Sequence, residues 1–186
     1  MKEKGSQKIF EKGGINIAKP HEDIPRLVTF FKKQKVKKIL DLGCGSGRHV
    51  IYLAQMGFEV YGTDDASEGI RLCKQWLDKL NLRANLRVAS FFKKFPFKNN
   101  FFDAVISTWA IHHGKEKQIK DCIKEIERIL KPDGIIYIAV TSTFKGRPVE
   151  EKNKKEPHTW VVTKGLEKGV PHHIFTKQMM KSYFKN

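Results

Sequence analysis

Three glycines, Gly43, Gly45 and Gly47, alternate within Asp41-Leu42-Gly43-Cys44-Gly45-Ser46-Gly47. The apolar run Lys38-Ile39-Leu40-Asp41-Leu42 precedes them, and a helical pattern from Ser46 to Gln55 follows. Without Cβ atoms, such a backbone lets a ligand approach closely. The helix start adds free N–H groups and the positive end of a dipole, which suit a phosphate or a carboxylate. About 20 residues after the loop, Asp64 closes the next apolar run, where an acid can accept hydrogen bonds from both hydroxyls of a ribose. Alternating glycines alone can reflect tight turns. The succession of strand, loop, helix, strand and acid is far more specific.

Two features discriminate between ribose-bearing cofactors. Asp41 precedes the glycines, and a pyrophosphate there would be repelled, whereas a cationic amino group and a sulfonium are tolerated. The spacing is GxGxG rather than the dinucleotide GxGxxG. Both disfavour a nicotinamide-dependent oxidoreductase and favour S-adenosylmethionine. Methyl transfer from a sulfonium is an in-line displacement, which asks the protein to position the acceptor and, for some acceptors, to remove a proton. Histidine suits the proton role near neutral pH. His112 and His113 follow a predicted strand, and His172 and His173 precede the last predicted helix. Each can serve as a base or lie over the pocket, or can be a hydrogen-bonded structural residue. Trp109 can wall an acceptor pocket or pack, and Arg48 can pair with a carboxylate or face solvent. Neither carboxylate nor cysteine sits at convincing ligand spacing from the paired histidines, so no metal is expected. No nucleophile-elbow serine with histidine and acid partners occurs.

The elements that must position these groups read in order. A helix is predicted over residues 22–35, with Pro25 in its first turn and Leu27, Phe30 and Phe31 on one face. Strands are predicted at 38–42, 58–62 closing at Asp64, 85–88, 102–107 and 135–140. Helices are predicted from Ser46 to Gln55, over the apolar positions Ile70 to Leu80, and over Ile119 to Leu130, whose apolar residues recur at i, i+3, i+4 and i+7. Pro132-Asp133-Gly134 predicts a turn before the fifth strand. Residues 144–158 read as a loop, Thr159 to Thr163 as a short strand, and Lys177 to Phe184 as a helix capped by Thr176. Alternation of strand and helix predicts an α/β fold, a Rossmann-like, mostly parallel sheet with helices on both faces. The division is an N-terminal helix (22–35), a cofactor-binding core (36–141) and a lid-like segment with a terminal helix (142–186) within a single domain.

The chain has 186 residues and a formal net charge of +16. Its basic residues are mostly lysines spread along the chain, densest at Lys32-Lys33, Lys35 and Lys37-Lys38. RNA binding is one reading of that charge and a solvated surface is the other. Aromatic residues do not interleave the cluster as a base-stacking platform would. No run of about 18 apolar residues occurs, so no membrane span is expected. The polar start and three isolated cysteines, Cys44, Cys73 and Cys122, predict a reduced, cytoplasmic protein.

The run from Val36 to Asp65 resembles motif I and the following acidic motif of class I S-adenosylmethionine-dependent methyltransferases. Phe101-Phe102-Asp103-Ala104-Val105-Ile106-Ser107 resembles their fourth-strand motif, Ile111-His112-His113 the stretch that often follows, and Ile129-Leu130-Lys131-Pro132-Asp133-Gly134 the turn before strand five. The resemblance covers the chain from about Phe10 onward and is specific for the cofactor, not for the acceptor. It implies that Gly43, Gly45 and Gly47 line the methionine end, Asp41 sits near its amino group, and Asp64 holds the ribose with Asp65 beside it. Ser107 would contact the cofactor through its main chain. Where the family carries an acid for the adenine amino group, this chain has Ser90 followed by Phe91. A serine holds that group less strongly, and packing by Phe91 is an alternative source of affinity. The family's last two of seven strands have no counterpart before Asn186, so strand five is expected to be a sheet edge open to pairing with another chain. A small-molecule acceptor is the first expectation. An RNA or protein acceptor, and a non-catalytic binding module, are the alternatives.

Overall fold

A computed structural model describes residues 19–142, 153–165 and 167–184. In chain order the elements are α1 (Ile24–Lys33), β1 (Lys38–Leu42), α2 (Arg48–Gln55), β2 (Glu59–Asp64), α3 (Ser67–Lys79), β3 (Asn85–Val88) and β4 (Phe102–Thr108). A 3-10 turn (Ile111–His113), α4 (Glu116–Ile129) and β5 (Leu130–Ala139) follow. The last elements are β6 (Lys154–Glu156), β7 (Thr159–Val161), β8 (Pro171–His173) and α5 (Lys177–Tyr183).

Five strands form a parallel sheet in the order β3-β2-β1-β4-β5. Alternation along β1 separates its two faces. Ile39 packs with Val28 and Phe31 of α1, Val50 and Leu53 of α2, and Cys73 and Leu77 of α3. Its neighbour Leu40 packs on the opposite face with Cys122, Ile126 and Ile129 of α4. The strand period of two thus sends successive apolar residues to two helical layers, which is why the run is apolar throughout. The chain winds outward from β1 in both directions. The crevice where the winding reverses lies beyond the ends of β1 and β4, where ligands bind in open α/β sheets.

The predicted strands and helices of the core are present; β1 and β3 keep their expected bounds, and the other ends shift by at most three residues apart from the start of β5. At residues 132–134 the difference is larger. Leu130 already pairs with Phe102, and the ladder resumes at Ile135 opposite Ala104 after an irregularity. Asp133, at φ +61°, makes the expected turn inside the strand rather than before it. Among the described residues, β5 lies at one edge of this sheet.

Residues 144–152 of the expected loop lie outside the described residues. Within its remainder, Lys154–Glu156 forms a strand, and β6, β7 and β8 make a three-stranded antiparallel sheet. This sheet packs on the turn after β4. Glu116 N–H donates to Glu156 Oε1 (2.6 Å), and Phe175 N–H donates to the Thr141 carbonyl (3.1 Å). The Thr176 hydroxyl caps α5 by accepting from Met179 N–H at 3.1 Å.

Arg128 holds the segment between β3 and β4 against α4. Its guanidinium donates to the Phe97 carbonyl (2.8 Å), the Phe95 carbonyl (3.2 Å), the Asn99 side chain (3.0 Å) and both oxygens of Glu125. Glu125 in turn accepts from Phe95 N–H at 2.8 Å. Truncating one half-buried side chain strands two carbonyls and a carboxylate. Arg128→Ala is therefore expected to destabilise the fold by about 2–3 kcal/mol, read as a lower urea midpoint. Arg128→Lys recovers little of it, because an ammonium cannot span the same fork.

Candidate functional site

The glycine loop is pinned from three sides. Gly43 and Cys44 N–H both donate to the Thr63 carbonyl, at 2.8 and 2.9 Å. A Cβ on Gly43 would run into Ala110, just beyond β4, and one on Gly47 would run into Cys73 of α3. All three loop glycines have positive φ. The glycines at 43 and 47 are therefore required by packing against the protein itself, in addition to any close approach of a ligand.

Asp64, at the end of β2, turns its buried carboxylate onto this loop. Oδ2 accepts from Gly45 N–H (2.9 Å) and Oδ1 from Ala66 N–H (2.8 Å). A carboxylate offers about four lone-pair sites, so one remains on each oxygen, enough for a pair of vicinal hydroxyls. Burial raises its pKa to about 6 against the pull of the two N–H donors.

Asp41, beneath the loop, is 0% exposed, and neither of its oxygens has a hydrogen-bond donor among the described residues. His49 of α2 stands beside it, with Nδ1 3.6 Å from Asp41 Oδ2 and 3.2 Å from Thr108 Oγ1. His49 Nε2 accepts from His21 N–H at 3.1 Å, which leaves Nδ1 as the ring atom in contact with Thr108 Oγ1. Arg48 is half-buried, with burial lowering its pKa and Asp41 opposing that shift. A buried carboxylate without donors calls for a cationic ligand group.

Ser107 donates its hydroxyl to the Leu42 carbonyl (2.9 Å), fastening the ends of β4 and β1. Ser90 accepts from Phe92 N–H at 3.3 Å and so shapes its own turn. Phe91 is buried in the apolar layer, edge-on to Phe92, and together with Ala110 fills the space where a Cβ of Gly43 would stand. Asp65 is half-buried beside Asp64. Trp109 stands at φ +57° and 43% exposed at the rim, its ring 6.2 Å from that of His21. An exposed indole on left-handed backbone is a costly arrangement that clusters at binding sites. Cys44 is inert as a nucleophile: burial, then Asp41 and Asp64, push its thiol pKa well up.

The paired histidines meet across the chain. His112 and His113, on the 3-10 turn, face His172 of β8, with ring centroids 4.1 to 5.3 Å apart. Glu167 spans the open side, 3.6 Å from His113 Nε2 and 3.5 Å from His172 Nε2. His112 is 1% exposed and His172 0%. His173 points to the other face of β8, where its Nδ1 lies 2.7 Å from Thr159 Oγ1. It is thus not brought together with the others.

Three participants escaped the sequence reading. His49 had a signal, a polar side chain on the apolar face formed by Val50, Ile51 and Leu53. His21 and Glu167 had none, because only tertiary folding brings the segment before α1 and the β7–β8 connection to these sites.

Residues 40–138 match the family model described as a methyltransferase domain. An uncharacterized methyltransferase of Synechocystis is 33% identical over 102 residues, which are 55% of this chain and 46% of that protein. The probable tRNA methyltransferase 9B of Mus musculus is 30% identical over 134 residues, 70% of this chain and 26% of that protein. The chain thus spans less than half the length of these relatives. A SAM-dependent methyltransferase from Methanosarcina mazei superposes with a TM-score of 0.74 at 24% identity, covering 90% of this chain and 84% of that one, a likeness of fold. With its matched core, its glycine loop and its acid after β2, the chain belongs to the class I methyltransferase-domain family, whose cofactor is S-adenosylmethionine.

Proposed function

We propose that this chain binds S-adenosylmethionine and transfers its methyl group to a small-molecule acceptor. The observation that carries the reading is Asp41, a buried carboxylate whose oxygens make no hydrogen bond among the described residues, beneath a loop in which neither Gly43 nor Gly47 has room for a side chain. The methionine ammonium fits Asp41, the ribose hydroxyls fit the remaining lone pairs of Asp64, and Ser90 with Phe91 borders the adenine end. The cofactor supplies an electrophilic methyl group on a sulfonium. The chain's own residues bind, orient and exclude water: Trp109 and Arg48 border the acceptor side, and β6–β8 pack over the turn after β4. Such a covered mouth favours a small acceptor over a polymer. No helix among the described residues is long and apolar enough to cross a membrane, and three free buried cysteines support a reducing, cytoplasmic setting.

Calorimetric titration with S-adenosylmethionine and, separately, with NAD tests the cofactor half. Micromolar binding of the first and none of the second is the expected result. A folded sample that binds neither removes the enzymatic reading. The acceptor half is tested by turnover on a panel of small amines, thiols and phenols against bulk RNA. The net charge of +16 and the tRNA methyltransferase among the relatives favour RNA as the second reading. RNA affinity that falls steeply with salt, together with methylation of RNA alone, would displace the first.

A further inference from the structure

We infer that His112, His113, His172 and Glu167 form a binding site for a first-row divalent transition metal of the zinc class. The inference goes beyond the methyl-transfer reading and does not depend on it. The ligating nitrogens of the three histidines all lie within 4.8 Å of one another. Metal–nitrogen bonds of about 2.0–2.1 Å in a tetrahedral site set such atoms about 3.3 Å apart, so small side-chain rotations close the cluster on an ion. Glu167, whose two carboxylate oxygens lie 3.6 and 3.5 Å from His113 and His172, stands outside the 4.8 Å group and supplies a fourth donor, a carboxylate beside three imidazoles, on rotation of its side chain. That donor set suits zinc, cobalt or nickel and not magnesium or calcium, which take oxygen ligands.

Burial supports the assignment. His112 and His172 are sealed, while the side chains of His113 and Glu167 retain 25% and 33% exposure, which leaves one open side for entry. The four ligands come from two elements far apart in sequence, the turn after β4 and the β7–β8 hairpin. A bound ion would therefore fasten the small sheet to the core beside Ala110 and the glycine loop. Nitrogen lone pairs given to a cation take up no proton, so His112 and His113 hold the metal in place of the base role that the sequence suggested for them.

The test is titration of the chelator-treated full chain with zinc chloride and with cobalt chloride, followed by calorimetry and by the visible absorption of cobalt. About one ion per chain, intense tetrahedral cobalt bands and no response to magnesium are expected. His172→Gln and Glu167→Gln should each weaken zinc at least roughly tenfold, since loss of even an outer-shell partner costs that much. The exposed His158→Asn should not. Glu167→Gln alters a partly exposed side chain and keeps the test decisive if His172→Gln fails to fold. A folded chain that takes up no stoichiometric ion, or affinity unchanged in Glu167→Gln and in any folded His172→Gln, overturns the site and leaves a hydrogen-bonded histidine cluster. The readout needs neither cofactor nor acceptor, so a failure of the methyltransferase reading would not be mistaken for a failure of this one.

Discussion

Gly47→Ala is expected to destabilise the chain by about 2–5 kcal/mol, from backbone strain plus overpacking, and to abolish cofactor binding in whatever fraction stays folded. Gly47 stands at φ +92° at the N-cap of α2, a conformation that side chains other than hydrogen rarely adopt. A Cβ there would also enter the space of the buried Cys73 Sγ, with the Cys73 Cβ at 2.9 Å behind it. Gly57→Ala is the internal control. Its φ of +87° is as demanding, but nothing lies within 4 Å of its missing Cβ, so only the backbone part remains, about 1–2 kcal/mol. Adding Cys73→Ala to Gly47→Ala should recover part of the difference by removing the sulfur, and a double-mutant cycle in urea isolates that coupling. If Gly47→Ala and Gly57→Ala unfold at the same urea concentration, the loop is not packed against α3 as described.

The contrast between these two glycines shows what was legible in the sequence. Local spacing revealed the loop, because strand, glycines, helix and acid follow one another within a few turns of chain. It could not reveal that the glycines at 43 and 47 face Ala110 and Cys73, since those contacts depend on how α3 and β4 close over the loop. The same division holds elsewhere. The alternation in β1 and the helical period of α4 predicted the core, because each element buries a continuous stripe. The small sheet was legible only at β7, because its three-residue strands carry too few positions for a pattern. Asp103, within the fourth-strand motif, accepts from Lys37 and Lys38 N–H and from Lys131 Nζ at the end of the sheet away from the loop. That part of the motif is structural, which motif resemblance alone does not distinguish. The histidine cluster follows the same rule: spacing along the chain gave the paired histidines no carboxylate neighbour, and folding brings Glu167 beside them.

With Asp64 holding the ribose as proposed, cofactor affinity is expected to rise about tenfold between pH 5 and 7, because a carboxylate that already accepts from Gly45 and Ala66 must be ionised to accept from two hydroxyls. Its pKa stands at about 6, raised above the ordinary 3.8 chiefly by burial and only partly restored by the two N–H donors. The same shift acts oppositely on the free protein. A carboxyl whose folded pKa is raised favours the folded state most below about pH 4, and that contribution, of order 3 kcal/mol, is lost as pH rises through about 6. The unliganded chain should therefore gain stability on mild acidification while its hold on the cofactor weakens, and calorimetry and urea unfolding across this window should move in opposite directions. Asp64→Asn removes both effects. An amide turns an NH2 toward one of the two backbone donors, so binding should weaken by about 10–100-fold and become flat across the window. Wild-type affinity that is flat from pH 5 to 7 would show that no carboxylate in this range holds the ribose. A slope that persists in Asp64→Asn would transfer the titration to another group of the site.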